Sequence, residues 1–163
     1  HLGGRRCGCY RSGHRRGGLD RGRRRSSHLR DHDRRCGCRR GGHPGLGESD
    51  IFVASVSGDG YADPVNLGPA VNSSASDFDP FVAPDQSYLI FSSTRQGGSG
   101  GGDLHISFRT KGGGWTPAVN LGPEINTSET DYCPKVTPDG RFLFYTSRST
   151  GGGDIFLVDA RII

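Results

Sequence analysis

No stretch of this 163-residue chain approaches the ~20 consecutive apolar residues that a bilayer-spanning helix requires. No window of useful length repeats its apolar residues at the 3.6-residue helical period either. The chain therefore does not cross a membrane as a helix, and an amphipathic-helix architecture is excluded. Residues 1–47 lack more: they contain no Val, Ile, Phe, Ala, Trp or Lys. Such a segment cannot bury enough apolar surface to offset chain entropy, and disorder is expected there.

Charge divides the chain at the same place. Residues 1–47 hold fourteen Arg against Asp20, Asp31 and Asp33, a net charge of +11, whereas the remainder holds seven basic and fourteen acidic side chains, a net −7. The whole-chain value of +4 averages two unlike parts. A boundary near Leu46 follows, with an Arg/Gly/Cys-rich low-complexity segment over 1–46 and a second region over 47–163. The second region is acidic, so no general electrostatic affinity for nucleic acid is expected of it.

Three readings of the basic segment stand open. Arg16-Gly17-Gly18 and Arg40-Gly41-Gly42 resemble the arginine–glycine boxes of RNA-binding tails, although Tyr10 is the only aromatic available for stacking. Cys7-x-Cys9 and Cys36-x-Cys38, with His14, His28, His32 and His43, could form a metal knuckle. Their one-residue gap is narrower than the two to four residues usual for zinc. Arg without Lys, together with Gly, Cys and His, is also what GC-rich DNA yields when read out of frame.

The acidic region carries an internal repeat. From Asn66 the sequence runs NLGPAVNSSASDFDPFVAPD and from Asn120 it runs NLGPEINTSETDYCPKVTPD, 54 positions later. A fixed period of this size makes one repeat the folding unit. Short β-rich runs separated by Gly, Pro, Asp and Asn indicate an all-β architecture. Pro84-Asp85-Gln86-Ser87 aligns with Pro138-Asp139-Gly140-Arg141, a turn in which Pro presets φ, Asp bonds the following backbone and Gly supplies a left-handed residue. Gln86 stands where the other copy has Gly140, at a cost of up to about 1 kcal/mol if the position needs positive φ.

The runs Tyr88–Phe91 and Phe142–Tyr145 are continuously apolar, as expected of strands covered on both faces. A Gly-rich loop separates each from the next strand, which opens at Asp103 or Asp154. An earlier, incomplete copy begins at Asp50, and Tyr61–Gly68 matches Trp115–Gly122.

The ordered pattern N-L-G-P-x-[VI]-N-[ST], then D-[FY]-x-P with Pro80 or Pro134, then P-D, a strand, G-G-D-[LI] and an aromatic such as Trp115 resembles the WD-like β-propeller repeats of the TolB-type, Pro-Asp variety. The resemblance covers Gly47 to Ile163. It implies four antiparallel strands per blade, and hence a partial propeller of about two to two and a half blades behind a disordered Arg/Gly-rich segment. Propellers close with about four to eight blades. The expected state is therefore a fragment of a longer product, whose remaining blades would be partners, or an open stack with exposed edges. The resemblance further implies an exported or cell-envelope bacterial protein, periplasmic or extracellular. Such a module binds a protein or envelope-polymer partner through its blade loops.

No catalytic residue is expected. Gly97-x-Ser99-x-Gly101 fits the nucleophile-elbow string, but it lies in glycine between two strands, without the helix that the strained turn needs. The carboxylates Asp50, Asp77, Asp103, Asp131 and Asp154 recur at equivalent positions. Together with Pro80, Pro84, Asp85, Trp115, Pro134, Pro138, Asp139 and Gly140 they are assigned structural tasks such as holding turn amides or pairing with Arg95 and Arg148. Asp77 and Asp79 are the candidates for Ca²⁺, the one cofactor considered, since oxygen-rich turns suit a hard cation. His105 is expected to be packed or at the surface, and Cys133, which replaces Asp79, to be buried or half-buried. The sequons at Asn72 and Asn126 recur because the repeat does.

The functional expectation is a non-catalytic binding or scaffolding module. The alternatives are a propeller that gates or accompanies a hydrolase, a serine peptidase or glycosidase encoded outside this chain, and RNA binding by the basic segment. The RNA reading predicts that filter-binding affinity falls steeply as salt rises, and a flat salt dependence would eliminate it.

Overall fold

The structure, a computed structural model, describes residues 35–39 and 45–163. The expectations attached to Cys7, Cys9, His14, His28, His32, His43 and the two arginine–glycine boxes lie outside those residues. The described part is all-β, and its strands are β1 (Arg35–Arg39), β2 (Asp50–Ala54), β3 (Val56–Ser57), β4 (Gly60–Tyr61), β5 (Val65–Asn66), β6 (Asp77–Val82), β7 (Tyr88–Ser93), β8 (Asp103–Phe108), β9 (Val119–Asn120), β10 (Asp131–Val136), β11 (Phe142–Ser147) and β12 (Asp154–Asp159). Among the described residues no helix is long and apolar enough to cross a membrane.

These strands form a four-stranded sheet in the order β6-β7-β8-β9, two three-stranded sheets, β1-β2-β5 and β10-β11-β12, and the small β3-β4 hairpin. The strand pairs within them are antiparallel and no sheet closes on itself. The middle sheet holds one repeat with four strands, as expected. The sheets on either side hold three.

Strand β1 lies inside the segment expected to be disordered. It pairs with β2, Cys38 opposite Ile51 and Cys36 opposite Val53, in the position that β7 takes beside β8. The reason is backbone chemistry: the free edge of β2 presents unpaired N–H and C=O groups that any extended segment can satisfy, whatever its side chains.

Side-chain alternation in β7 builds two cores. Leu89 and Phe91 join Ile51 and Val71 of the preceding unit, with Leu67, Val82, Trp115 and Ala118 packed around them. Ile90 points the other way and joins Leu104, Ile106, Ile125, Val136, Leu143 and Tyr145. A strand buried on both faces needs no polar alternation, and the continuous run Leu89-Ile90-Phe91 is the sequence record of that burial. The equivalent strand β11 departs from the expectation. Leu143 and Tyr145 are buried against the middle sheet, but Phe144 is exposed because, among the described residues, no further sheet covers its face.

β6 and β10 begin at Asp77 and Asp131, three residues before Pro80 and Pro134, and each contains a β-bulge at the intervening residue. Asp79 and Cys133 occupy the bulges with φ of 49° and 54°. The bulge leaves a position out of the ladder, and this is where a Pro without an N–H is tolerated.

Leu104 and Ile155 occupy the same register position in successive units, yet Leu104 is fully buried and Ile155 is 75% exposed. Leu104→Ala should therefore cost about 2–5 kcal/mol. Ile155→Ala should stay within about 0.5 kcal/mol. Urea denaturation of the two variants, read by circular dichroism, checks the contrast.

Candidate functional site

The residues that recur at the repeat period converge at the junctions between sheets. At the first junction the N-L-G-P loop is shaped by Asn66, whose Oδ1 accepts from Gly68 N at 2.8 Å, and by Gly68 itself at φ 80°. The Gly68 carbonyl accepts from both Val71 N and Asn72 N. This turn aims the Asn72 side chain at β2. There its Oδ1 accepts from Ile51 N at 2.8 Å and its Nδ2 donates to Ile51 O at 3.0 Å, so one amide side chain takes the place of a neighbouring strand. The same Nδ2 donates to Asn66 Oδ1, and Asn66 Nδ2 donates to Asp50 Oδ2 at 2.6 Å. Asp50 also accepts from Leu46 N and Gly47 N.

The second junction repeats this network. Asn126 straddles Leu104 N and O, Asn126 and Asn120 are bonded to each other, and Asn120 Nδ2 donates to Asp103 Oδ2 at 2.8 Å. Asp103 accepts from Ser99 N and Gly100 N. Main-chain bonds run alongside: Asp77 N donates to Ser49 O, and Asp131 N to Gly102 O. Gly47 and Gly100 lie so close to the next loop that a Cβ would collide with the carbonyl oxygens of Ala75 and Glu129. Because Asn72 and Asn126 are buried and doubly hydrogen-bonded, neither sequon presents a free amide to a modifying enzyme.

The next carboxylates in each copy differ between the two units. Asp77 is fully buried. Its Oδ2 accepts from Ser73 N and Oγ, and its Oδ1 pairs with the Arg95 guanidinium at 2.6 Å. Arg95 also donates to Val71 O at 2.6 Å and to Ser93 Oγ at 2.8 Å. Asp131 repeats the Thr127 contacts through Oδ2, but its buried Oδ1 has no hydrogen-bond partner among the described residues. The expected pairing with Arg148 is not formed. Arg148 aligns with Thr94 and lies over the Tyr132 ring, 5.7 Å from its centroid, while Ser149 stands where Arg95 stands in the other unit. A serine at that position is too short to reach the carboxylate.

Asp154 is the third member of the Asp50–Asp103 series. It is exposed and accepts from Thr150 Oγ1. Asp79 and Asp77, the calcium candidates, are not brought together: Asp77 directs both oxygens at protein donors, and Asp79 accepts from Cys133 Sγ at 3.1 Å in the bulge of β6. Cys133 is exposed, contrary to expectation, because the bulge turns its side chain out of the sheet. Among the described residues no three His, Cys, Asp or Glu side chains gather as a metal site.

The turn residues behave as their types require. Asp85 Oδ1 accepts from Ser87 N and Oγ, and Asp139 Oδ1 accepts from Arg141 N and Thr137 Oγ1. These hydroxyl bonds hold both carboxyls below the usual aspartate range. Gln86 has φ 61° where Gly140 has 71°, so the position does need the left-handed region. Trp115 is half-buried against the first core under the Arg109 guanidinium, 4.9 Å from the ring centroid. Ser99 of the G-x-S-x-G string sits in the β7–β8 loop with its amide bonded to Asp103.

His105 is buried and stacked on Phe91 at 6.0 Å, with Nδ1 at 3.1 Å from Asp103 O. Burial pushes its pKa down, and nearby Arg95 acts in the same direction. Phe52 and Phe156 hold the equivalent positions, and Phe156 stacks on Tyr145 in the same way.

One open polar groove follows from the first junction. Glu48, Ser74, Ala75, Thr94, Arg95 and Gln96 line a volume of about 510 Å³. A scan of protein-family models and a search of curated proteins both return no match for this chain.

Urea denaturation of three variants checks these assignments. Asp77→Asn breaks a buried ion pair and should cost about 3–5 kcal/mol. Asp131→Asn keeps the Thr127 bonds and exchanges one unpartnered buried atom for another, so it should cost less than Asp77→Asn. For His105 the folded pKa lies below the unfolded one, so the unfolded chain binds the extra proton and stability falls as pH drops below about 6.5. His105→Phe should flatten the decline between about pH 6.5 and pH 5 in urea midpoints measured across that range.

Proposed function

We propose that residues 47–163 are consecutive blades of a TolB-type β-propeller acting as a non-catalytic scaffold in an exported or cell-envelope bacterial protein. The observation that carries this reading is the use made of the recurrent carboxylates. Asp50, Asp77 and Asp103 are buried, and their oxygens are occupied by backbone amides, asparagines, hydroxyls or Arg95. General acid–base chemistry needs two carboxylates in different environments at one place. Here Asp50 and Asp103 stand in equivalent environments at successive junctions, which supports an architectural task. The loops before β2, between β5 and β6 and between β7 and β8 line the groove between Glu48 and Gln96. An envelope polymer or a protein segment with mixed charge and hydroxyl groups suits its polar lining.

The test has two parts. Purified protein should leave chromogenic ester, peptide and glycoside substrates unchanged, and turnover that follows the protein through purification would overturn the non-catalytic reading. The protein should also co-sediment with peptidoglycan sacculi, more weakly after Glu48→Lys. Absence of co-sedimentation would remove the polymer partner and leave a protein partner.

A further inference from the structure

The chain builds one set of cation-holding oxygens twice and supplies its own cation to only the first. There the Arg95 guanidinium is fixed from three sides: Nη2 donates to Asp77 Oδ1 and to Val71 O, each at 2.6 Å, and Nε donates to Ser93 Oγ at 2.8 Å. The second copy reproduces this frame. Asp131 lies opposite Ser147 in register as Asp77 lies opposite Ser93, and Ile125 N donates to Gly122 O as Val71 N does to Gly68 O. The Ser149 amide donates to Ser147 Oγ at 3.2 Å, as the Arg95 amide does to Ser93 Oγ. Backbone, hydroxyl and carboxylate correspond, and the side chain at the last position is what differs.

That difference leaves a charge uncompensated. Asp131 is fully buried, its Oδ2 accepts from Thr127 N and Oγ1, and its Oδ1 has no hydrogen-bond partner among the described residues. Its side chain joins no ion pair among them either. A lone buried carboxylate is costly to keep, so a positive group brought to it gains what Arg95 gains at Asp77. The neighbouring hydroxyls suit the same guest: Ser147 Oγ donates to Ser149 Oγ at 3.1 Å and lies 3.5 Å from Thr127 Oγ1. Arg148 is directed elsewhere, over the Tyr132 ring, and both Arg148 and Ser149 are exposed. One carboxylate is little charge for a divalent cation, whose protein sites gather several oxygen ligands. The frame has the geometry of a guanidinium fork.

We infer that the Asp131 site binds an alkylguanidinium group supplied by a ligand, either the side chain of an arginine in a polypeptide or free arginine. One terminal nitrogen of the ligand donates to Asp131 Oδ1 and to the Ile125 carbonyl, and its Nε donates to Ser147 Oγ, as Arg95 does at Asp77, Val71 and Ser93. All the groups involved lie between Gly122 and Ser149. The site is separate from the groove between Glu48 and Gln96 and does not depend on the scaffold reading.

The test is isothermal titration calorimetry of the full chain with methylguanidinium, free arginine and Nα-acetyl-arginine N-methylamide at constant ionic strength. Saturable binding of methylguanidinium is expected, with sodium, potassium and tetramethylammonium silent at the same concentration. Tighter binding of the acetylated amide assigns a polypeptide source, and tighter binding of free arginine assigns the amino acid. Asp131→Asn should weaken binding at least about tenfold, because it removes the charge from the paired hydrogen bond. Ser149→Arg supplies the guanidinium from within, as Arg95 does, and should abolish binding while raising Tm. Ser149 is exposed, so this variant keeps the test decisive even if Asp131→Asn fails to fold. No binding of methylguanidinium, an equal response to sodium, or binding that persists in Ser149→Arg overturns the proposal. So does a lower Tm together with newly gained methylguanidinium binding in Arg148→Ala, because Arg148 would then be the occupant.

Discussion

The structure depends on one substitution of chemical groups: between consecutive sheets, an asparagine side chain does what a neighbouring strand does within a sheet. Asn72 and Asn126 each satisfy one amide and one carbonyl of the facing strand, and Asp50 or Asp103 fixes the loop that delivers them. Consecutive sheets cannot form an extended backbone ladder across their junction, so polar groups at strand starts would be buried without partners at a cost of about 1–3 kcal/mol each. The Asp–Asn–Asn relay removes that cost, and the apolar residues on either side can then pack. Leu89 and Ile90 serve two different cores one residue apart because the relay fixes the spacing of the sheets on both sides of β7.

Much of this was legible in the sequence. The 54-residue repeat gave the unit, the apolar run at Leu89–Phe91 gave a doubly covered strand, and the Pro-Asp turn gave its own hydrogen bonds. The recurrent aspartates were legible as structural, whereas Asn72 and Asn126 were read only as sequons and Asn66 and Asn120 only as the start of the repeat. The signal was present, since Asn66, Asn72, Asn120 and Asn126 recur at the same period as the aspartates. Two features were beyond a residue-by-residue reading. Whether Phe144 is covered depends on a neighbour and not on its own strand, and the pairing of β1 with β2 depends on backbone groups that every sequence carries.

Inexact repetition is equally informative. Arg95 and Ser149 occupy the same position, and the exchange leaves Asp131 with a buried oxygen that Asp77 does not have. His105 stands between two phenylalanines in the series Phe52, His105, Phe156 and keeps the stacking geometry of Phe156 while adding a titratable ring. The repeat thus tolerates change in what fills a junction more readily than in what defines it. The Asp, both Asn and the glycine three residues before the Asp are identical at both closed junctions.

The one-sided support of the last sheet has a mechanical consequence. Each closed junction ties two sheets together, whereas among the described residues β12 is paired with β11 alone and packed through Phe156 and Val158. In an array whose stability is a sum of nearest-neighbour terms, force applied at Ile163 peels the strands in sequence order from that end, one rupture at a time. Under such tension the last sheet yields first, the middle sheet next and the β1-β2-β5 sheet after it, so the order of rupture follows the order of the repeats.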